Sequence, residues 1–205
     1  MGMNWTDLRF FLNRSAGLFR RGLASLRTRG LHASWQRVQK HLRPVPQSQR
    51  PALYLPQEAP FAPFALPVSD AGSVPCASIV IPVYNQFAHT LACLRALAAH
   101  PPRASFEVVV VDDGSSDDTE VSLPQVAGLR YHRRAVNGGF IAACNDGASL
   151  AHGDYLVFLN NDTIPQPGWL DALLHTFDEH PDCGLAGSQL LYPDGRLQEA
   201  GGIVF

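Results

Sequence analysis

Four consecutive valines, Val108 to Val111, run without polar alternation behind Phe106. A strand apolar at every position is buried on both faces, as in parallel sheets covered by helices. Ser78 to Val83 and Tyr155 to Leu159 repeat the pattern, and Leu129 to His132 is a shorter strand-like piece. Between them the spacing changes to threes and fours. Phe87 to Ala99 aligns Leu91, Leu94 and Leu97 and stops at His100-Pro101-Pro102. Asp117 or Asp118 can cap a short helix that Pro124 limits. Phe140 to about Ala151 predicts a helix of Ala, Gly, Asn and Ser, and Trp169 to Glu179 one that turns Leu170, Leu173, Leu174 and Phe177 inward. Strand alternating with helix predicts an α/β fold, a Rossmann-like doubly wound, mostly parallel sheet with flanking helices. Beyond it, Cys183 to Tyr192 reads as another strand, Pro193-Asp194-Gly195 as a tight turn, and Arg196 to Phe205 as a returning strand.

The first 76 residues follow neither pattern. Residues 5–29 place Trp5, Leu8, Phe11, Leu12, Ala16, Phe19, Leu23 and Leu26 on one helical face and Arg9, Arg14, Arg20, Arg21 and Arg27 on the other. A second basic piece, Leu31 to Leu42, ends at Pro44. Residues 1–43 are therefore expected to form a basic amphipathic helical arm. Residues 44–76 hold eight of the sixteen prolines and are expected to be an extended linker, partly packed on the domain through Tyr54, Phe61 and Phe64. The domain proper is expected over 77–205.

Charge divides the chain at the same place. The net charge of −2 conceals ten Lys+Arg against one acid in residues 1–50 and six against seventeen in residues 51–205, that is +9 and −11. A basic arm with aromatic residues suits an anionic membrane surface, an acidic partner or the chain's own acidic domain. Nucleic acid is not expected as a partner, because no recognition motif accompanies the charge. The four widely spaced cysteines, without a C-x-x-C pair, and the lack of an apolar leader pattern favour a reduced cytoplasmic compartment, with the arm peripheral at the inner face of the plasma membrane. The eight histidines show no zinc spacing, and His175 and His180 read as surface residues.

The candidate chemistry lies at the strand ends. Val111 leads into Asp112-Asp113-Gly114-Ser115-Ser116-Asp117-Asp118, Val83 into Tyr84-Asn85, and Leu159 into Asn160-Asn161-Asp162. Open α/β sheets bind ligands at the carboxyl ends of their strands. The acids are not spaced as in an EF-hand loop, and no G-x-G-x-x-G follows the first strand, which removes the main support for a dinucleotide dehydrogenase. Asn137-Gly138-Gly139 opens a helix whose first N–H groups can face a diphosphate, or whose small residues serve close packing alone.

Four pieces in order, SIVIPVYNQ at 78–86, VVVVDDGSSDDT at 108–119, NGGFIAACNDG at 137–147 and GDYLVFLNNDT at 153–163, resemble the nucleotide-sugar-binding half of a family 2 glycosyltransferase with a GT-A fold, of the rhamnosyltransferase or O-antigen type. The resemblance implies inverting transfer of a sugar from a nucleotide-sugar donor to a hydroxyl of a glycan or lipid-linked acceptor, in polysaccharide biosynthesis. By the same resemblance Asp112 or Asp113 contacts the base or ribose, Pro82 and Tyr84 shape the base pocket, and Asn85 belongs to the donor site. Asn137, Gly138, Asn160 and Asn161 complete the donor site, and Asp162 holds Mg²⁺ or Mn²⁺. The family places an Asp-x-Asp motif at 160–162; here the first position is Asn160, which weakens the expected metal affinity. The resembling enzymes continue into an acceptor half with a carboxylate general base, so the base is expected beyond Phe205; Glu199 is the only late acid in a plausible position and is not assigned the role. Two other classes compete: a GT-A-like module that binds nucleotide or a partner without turnover, favoured by Asn160, and a nucleotidyltransferase, which would show a Gly-rich basic loop after the first strand.

Overall fold

The computed structural model describes residues 50–69 and 73–200; the basic arm expected over 1–43 lies outside them. The core is a four-stranded, all-parallel sheet of β1 (Ala77–Val83), β2 (Phe106–Asp112), β3 (Leu129–Arg133) and β4 (Tyr155–Phe158), in the order β3-β2-β1-β4. Between successive strands run α1 (Phe87–Ala99), a four-residue α2 (Thr119–Ser122) extended by a 3-10 turn, and α3 (Phe140–Leu150). The chain winds outward from β1 through β2 to β3, then returns to place β4 on the other side of β1. That reversal is a topological switch point, and the crevice outside the carboxyl ends of β1 and β4 is where such sheets bind ligands.

Both faces of the sheet are covered, as the unbroken apolar strands require. On one side Ile79, Ile81, Val83, Val108 and Val110 pack with Cys93, Leu94 and Leu97 of α1 and with Leu170 of α4 (Trp169–Glu179). On the other, Val80, Val109 and Val111 meet Ala143 and Leu150 of α3. Helix α3 rides very close: a Cβ built on Gly147 would come within 2.3 Å of Val80 Cγ1 and 3.1 Å of Val111 Cγ2. The small-residue composition of α3 thus serves close packing on the sheet.

Pro82 explains where the sheet opens. The β1–β2 ladder continues to Val83↔Asp112, but the β1–β4 ladder ends at Val80↔Phe158. A proline has no N–H with which to extend a ladder, and beyond it β1 and β4 part.

The proline-rich stretch is not a free linker in its described part. The compact unit begins at Pro51, and residues 51–69 strap across the α1 side of the sheet. Leu66 is buried, and Phe61, Phe64 and Val68 pack on the core. Leu66 N–H donates to Ala127 O and Ala127 N–H to Phe64 O, each at 2.9 Å. Arg95 donates to the Ala59 and Pro60 carbonyls, both at 2.8 Å. Proline removes donors from a segment but not its carbonyls or its apolar rings, so a proline-rich chain can still dock.

The end of the chain is less regular than its pattern. Of the strand expected over Cys183 to Tyr192 only β5 (Leu190–Leu191) forms, paired antiparallel with β6 (Leu197–Glu199). Gly184, Gly187 and the exposed Leu185 precede it, with no neighbouring strand to pair. Residues 201–205 lie outside the described part.

The closeness of α3 gives a direct test. Gly147→Val should lower the stability of the domain by about 1–3 kcal/mol, because the added carbons meet Val80 in a packed layer; urea unfolding followed by tryptophan fluorescence measures it.

Candidate functional site

The expected polar strand ends do converge on one edge. A crevice of about 510 Å³ at the switch point is lined by Pro82, Val83, Tyr84, Asp113, Asn137, Gly139, Phe140, Ala143, Asn160, Asn161 and Asp162. Seven of these eleven are residues that the sequence assigned to a donor or metal site. Three others assigned to it, Asn85, Asp112 and Gly138, do not line the crevice, and their bonds explain why.

Asp112 is fully buried. Its Oδ1 accepts the Ser115 N–H at 2.8 Å, and its Oδ2 accepts the Tyr131 hydroxyl and Arg133 Nη1, both at 2.5 Å. Burial opposes ionisation, but these donors outweigh it and hold the carboxyl below the usual carboxylate range. In turn, burial and the adjacent Asp112 push the Tyr131 phenol up. Arg133 also donates to Ser115 O and pairs with Glu120 at 3.2 Å. Asp112 is therefore a lock between β2, β3 and the turn after β2, with no lone pair directed at a ligand. Of the two acids, only Asp113 lines the crevice.

Asp113, also buried, accepts Gly138 N–H at 2.9 Å on Oδ1 and Gly139 N–H at 2.7 Å on Oδ2. Arg134 Nη1 reaches Oδ1 at 2.6 Å, while Arg134 Nε pairs with Asp146 of α3 at 2.7 Å. Burial again opposes ionisation, and the Gly138, Arg134 and Gly139 donors override it, so this carboxyl too lies below its ordinary range. The amides of Gly138 and Gly139, which lead into α3, are thus spent on Asp113. A buried carboxylate at a helix N-terminus satisfies the helix as well as itself. Glycine is needed here: a Cβ on Gly138 would fall 2.2 Å from Arg134 Nη1, and Gly139 has φ +85°.

Asn85 stitches two turns together. With φ 57° it sits in the left-handed region, its Oδ1 accepts Ser116 N–H at 2.8 Å, and its own N–H donates to Ser115 Oγ at 2.7 Å. Asp117 completes the seam, accepting Phe87 N–H at 2.9 Å and Thr119 N–H at 3.1 Å; it caps α1 from another loop. The sequence offered Asp117 only as a cap for its own short helix.

The turn after β4 is different. Thr163 N–H and Oγ1 both donate to Asn160 O, at 3.2 and 2.7 Å, and Asn161 Nδ2 donates to Thr90 Oγ1 at 3.0 Å. Gln166 clamps the strap, accepting Tyr54 N–H at 2.8 Å and donating to Tyr54 O at 3.0 Å. The turn is closed through Asn160 O and anchored through the Asn161 side chain, yet the exposed Asp162 carboxylate makes no hydrogen bond or ion pair with any described residue. It is the one carboxylate of the crevice that is free for a ligand.

Phe140, missed as a site residue, begins α3 with an exposed ring at the crevice rim; its place directly after Asn137-Gly138-Gly139 was the available signal. Arg133, Arg134 and Tyr131, which hold the two acids, also went unread, because strand alternation alone does not say which neighbour a side chain meets. Trp169 packs on the core. Glu199 lies on the exposed β6 and faces a separate groove along β4.

The profile described as "Glycosyl transferase family 2" matches residues 78–202, more than half of the chain. The chain belongs to glycosyl transferase family 2. Among curated relatives, the glycosyltransferase AglE of Haloferax volcanii is 31% identical over 129 residues, covering 60% of this chain and 42% of AglE. The O-antigen biosynthesis protein RfbC of Myxococcus xanthus is 32% identical over 134 residues, covering 63% of this chain and 10% of RfbC. The chain thus spans less than half the length of these relatives. Among solved structures, S. aureus TarS 1-349 in complex with UDP-GlcNAc aligns with a TM-score of 0.46 at 29% identity, over 51% of this chain and 32% of that one. The family is the one its four motifs resemble, and the sheet of this family 2 domain has the expected α/β winding.

The buried lock carries a pH consequence. The Asp112 and Asp113 carboxyls are held down in the folded state, so their stabilisation is full above the ordinary carboxylate value of about 4 and is lost as pH falls through it towards the folded values. Asp112→Asn should cost about 1–3 kcal/mol at neutral pH, since it takes the charged acceptor from the Tyr131 and Arg133 bonds, and should flatten the loss of stability in acid. Urea midpoints between pH 7 and pH 3 read both effects.

Proposed function

We propose that the switch-point crevice holds a nucleotide-activated sugar, and that this domain is the donor-binding part of an enzyme that moves the sugar to a hydroxyl of a glycan or lipid-linked acceptor in polysaccharide biosynthesis. The observation that carries the reading is Asp162: a carboxylate without a partner, on a fixed turn, opposite Tyr84 and Asp113 in a crevice at the place where open sheets take ligands. Membership of the family and relatives named as a glycosyltransferase and an O-antigen biosynthesis protein support it.

The residues fit a hard divalent cation. Mg²⁺ and Mn²⁺ take oxygen ligands, commonly one or two carboxylates plus substrate phosphates rather than a full protein cage. Asp162 offers the carboxylate and Asn160 an amide oxygen, and no cluster of three or more His, Cys, Asp or Glu suited to a metal occurs among the described residues. When bound, the cation would supply electrostatic stabilisation of charge growing on the leaving diphosphate. Tyr84 and Phe140, exposed at the rim, offer aromatic surface to a base, and Pro82 and Ala143 close the floor. Asn137 and Asn161 present carboxamides to ribose or sugar hydroxyls. Asp113, the other lining acid, is engaged by two amides and Arg134 and is unsuited to act as a general base.

Calorimetry with UDP, GDP and dTDP tests this. Binding of at least one should be at least ten-fold tighter with Mn²⁺ than with EDTA. Asp162→Ala should weaken it at least ten-fold while leaving the unfolding midpoint unchanged, since the carboxylate makes no hydrogen bond or ion pair with any described residue. Binding indifferent to both EDTA and the substitution would sink the metal role.

The arm is proposed to act separately. No helix among the described residues is long and apolar enough to cross a membrane, while the sequence of residues 1–43 carries arginine opposite a Trp5/Phe11/Phe19 stripe. Each basic residue near an anionic bilayer contributes about 1 kcal/mol, screened by salt. The protein should sediment with anionic liposomes at low salt and be released by salt; equal pelleting with neutral vesicles would refute the proposal.

A further inference from the structure

The turn that presents Asp162 is held from beneath by a residue that no motif contains. Thr90 lies on the buried face of α1 and is fully enclosed. Its hydroxyl accepts the Asn161 Nδ2 hydrogen at 3.0 Å, across 71 residues of chain, and leans towards Gln86 O at 3.5 Å. Cys93, one turn further along the same face, is buried against the Thr163 side chain. Helix α1 therefore grips the 160–163 turn from one side, as Gln166 and the strap grip its far end. Asn160 and Thr163 close the turn locally, but local closure fixes its shape without fixing where it sits over the crevice. That placement rests on the Asn161–Thr90 bond, a side-chain hydrogen bond between residues 160–163 and α1, beside the packing of Cys93 on Thr163.

We infer that Thr90 is a positioning residue for donor binding: by anchoring the Asn161 carboxamide it sets the distance of the Asp162 carboxylate from the rest of the crevice. The inference rests on the donor-binding reading above. A threonine hydroxyl suits the task because it accepts from Asn161 in a site closed to water. An apolar replacement of the same shape leaves the Asn161 amide without a partner, and the turn free to move away to reach water.

The test compares Thr90→Val, which keeps the volume and removes the hydroxyl, with Thr90→Ser, which keeps the hydroxyl. UDP, GDP and dTDP are titrated by calorimetry with Mn²⁺ and, separately, with EDTA. Thr90→Val should weaken Mn²⁺-dependent binding about five-fold, leave any residual binding in EDTA unchanged, and show no further loss when combined with Asp162→Ala; Thr90→Ser should stay within about two-fold of the parent. A purely structural role would weaken both conditions alike and would not be rescued by serine, so either of those outcomes overturns the inference. So does parental affinity in Thr90→Val while Asp162→Ala is impaired. If Thr90→Val fails to fold, Thr90→Ala takes its place with the same expectations. Absence of nucleotide binding in the parent protein would instead overturn the donor-binding reading, and this inference with it.

Discussion

Two neighbouring carboxylates at the end of a buried strand have to be satisfied where water does not reach, and much of the site follows from that constraint. Asp112 draws in Tyr131 and Arg133 from β3 and the Ser115 amide; Asp113 draws in Gly138, Gly139 and Arg134. Leaving a buried charge without a partner is destabilising by several kcal/mol, whereas a fully bonded one is close to neutral. The acids therefore act as organisers. They fix the end of β3 against β2, seat the N-terminus of α3, and thereby set one wall of the crevice. The opposite wall, after β4, carries no such burden, which leaves its own acid, Asp162, uncommitted.

The winding was legible in the sequence because the apolar strands are unambiguous: four valines in a row and Ser-Ile-Val-Ile-Pro-Val admit few other arrangements. The same holds for the residues the motifs brought to the edge, among them Pro82, Tyr84, Asn137 and Asp162. What the sequence left open is which of several polar residues at a strand end faces the ligand and which faces the scaffold. Asp112 and Asp113 are neighbours of the same type, and only the pleat and the partners from β3 and α3 separate their duties. Asn85 was ambiguous for a related reason: an amide in the left-handed region can serve a turn or a ligand, and its use by Ser116 depends on a loop 31 residues away. The strand over Cys183 to Tyr192 shrank to two residues because strand formation requires a partner, which local apolarity does not provide.

The strap over 51–69 blurs the boundary that composition suggested. Proline density forbids regular ladders, but Phe61, Phe64 and Leu66 bring enough apolar surface to dock, and Arg95 and Gln166 turn to the strap's backbone the donors and acceptor that it lacks internally. Its contact through Tyr54 and Gln166 reaches to within four residues of Asp162. A segment that reads as a spacer is, in its described part, one of the walls against which the functional turn is braced.

Asn160, in place of the family's first acid, changes how a cation and a diphosphate would depend on each other. With one free carboxylate, the crevice has little hold on a divalent ion by itself, since such ions give up water reluctantly and look for several oxygen ligands. A diphosphate alone meets an acidic domain and the unneutralised charge of Asp162. Each partner supplies what the other lacks, so the coupling between them is favourable, and by linkage it is equal in both directions. A second acid at position 160 would strengthen the ion's own binding and leave less for the diphosphate to add. On the donor-binding reading, the exchange of one acid for an amide does not abolish metal use; it moves the affinity from the ion into the pair, which makes the rigidity of the turn that holds Asp162 matter more.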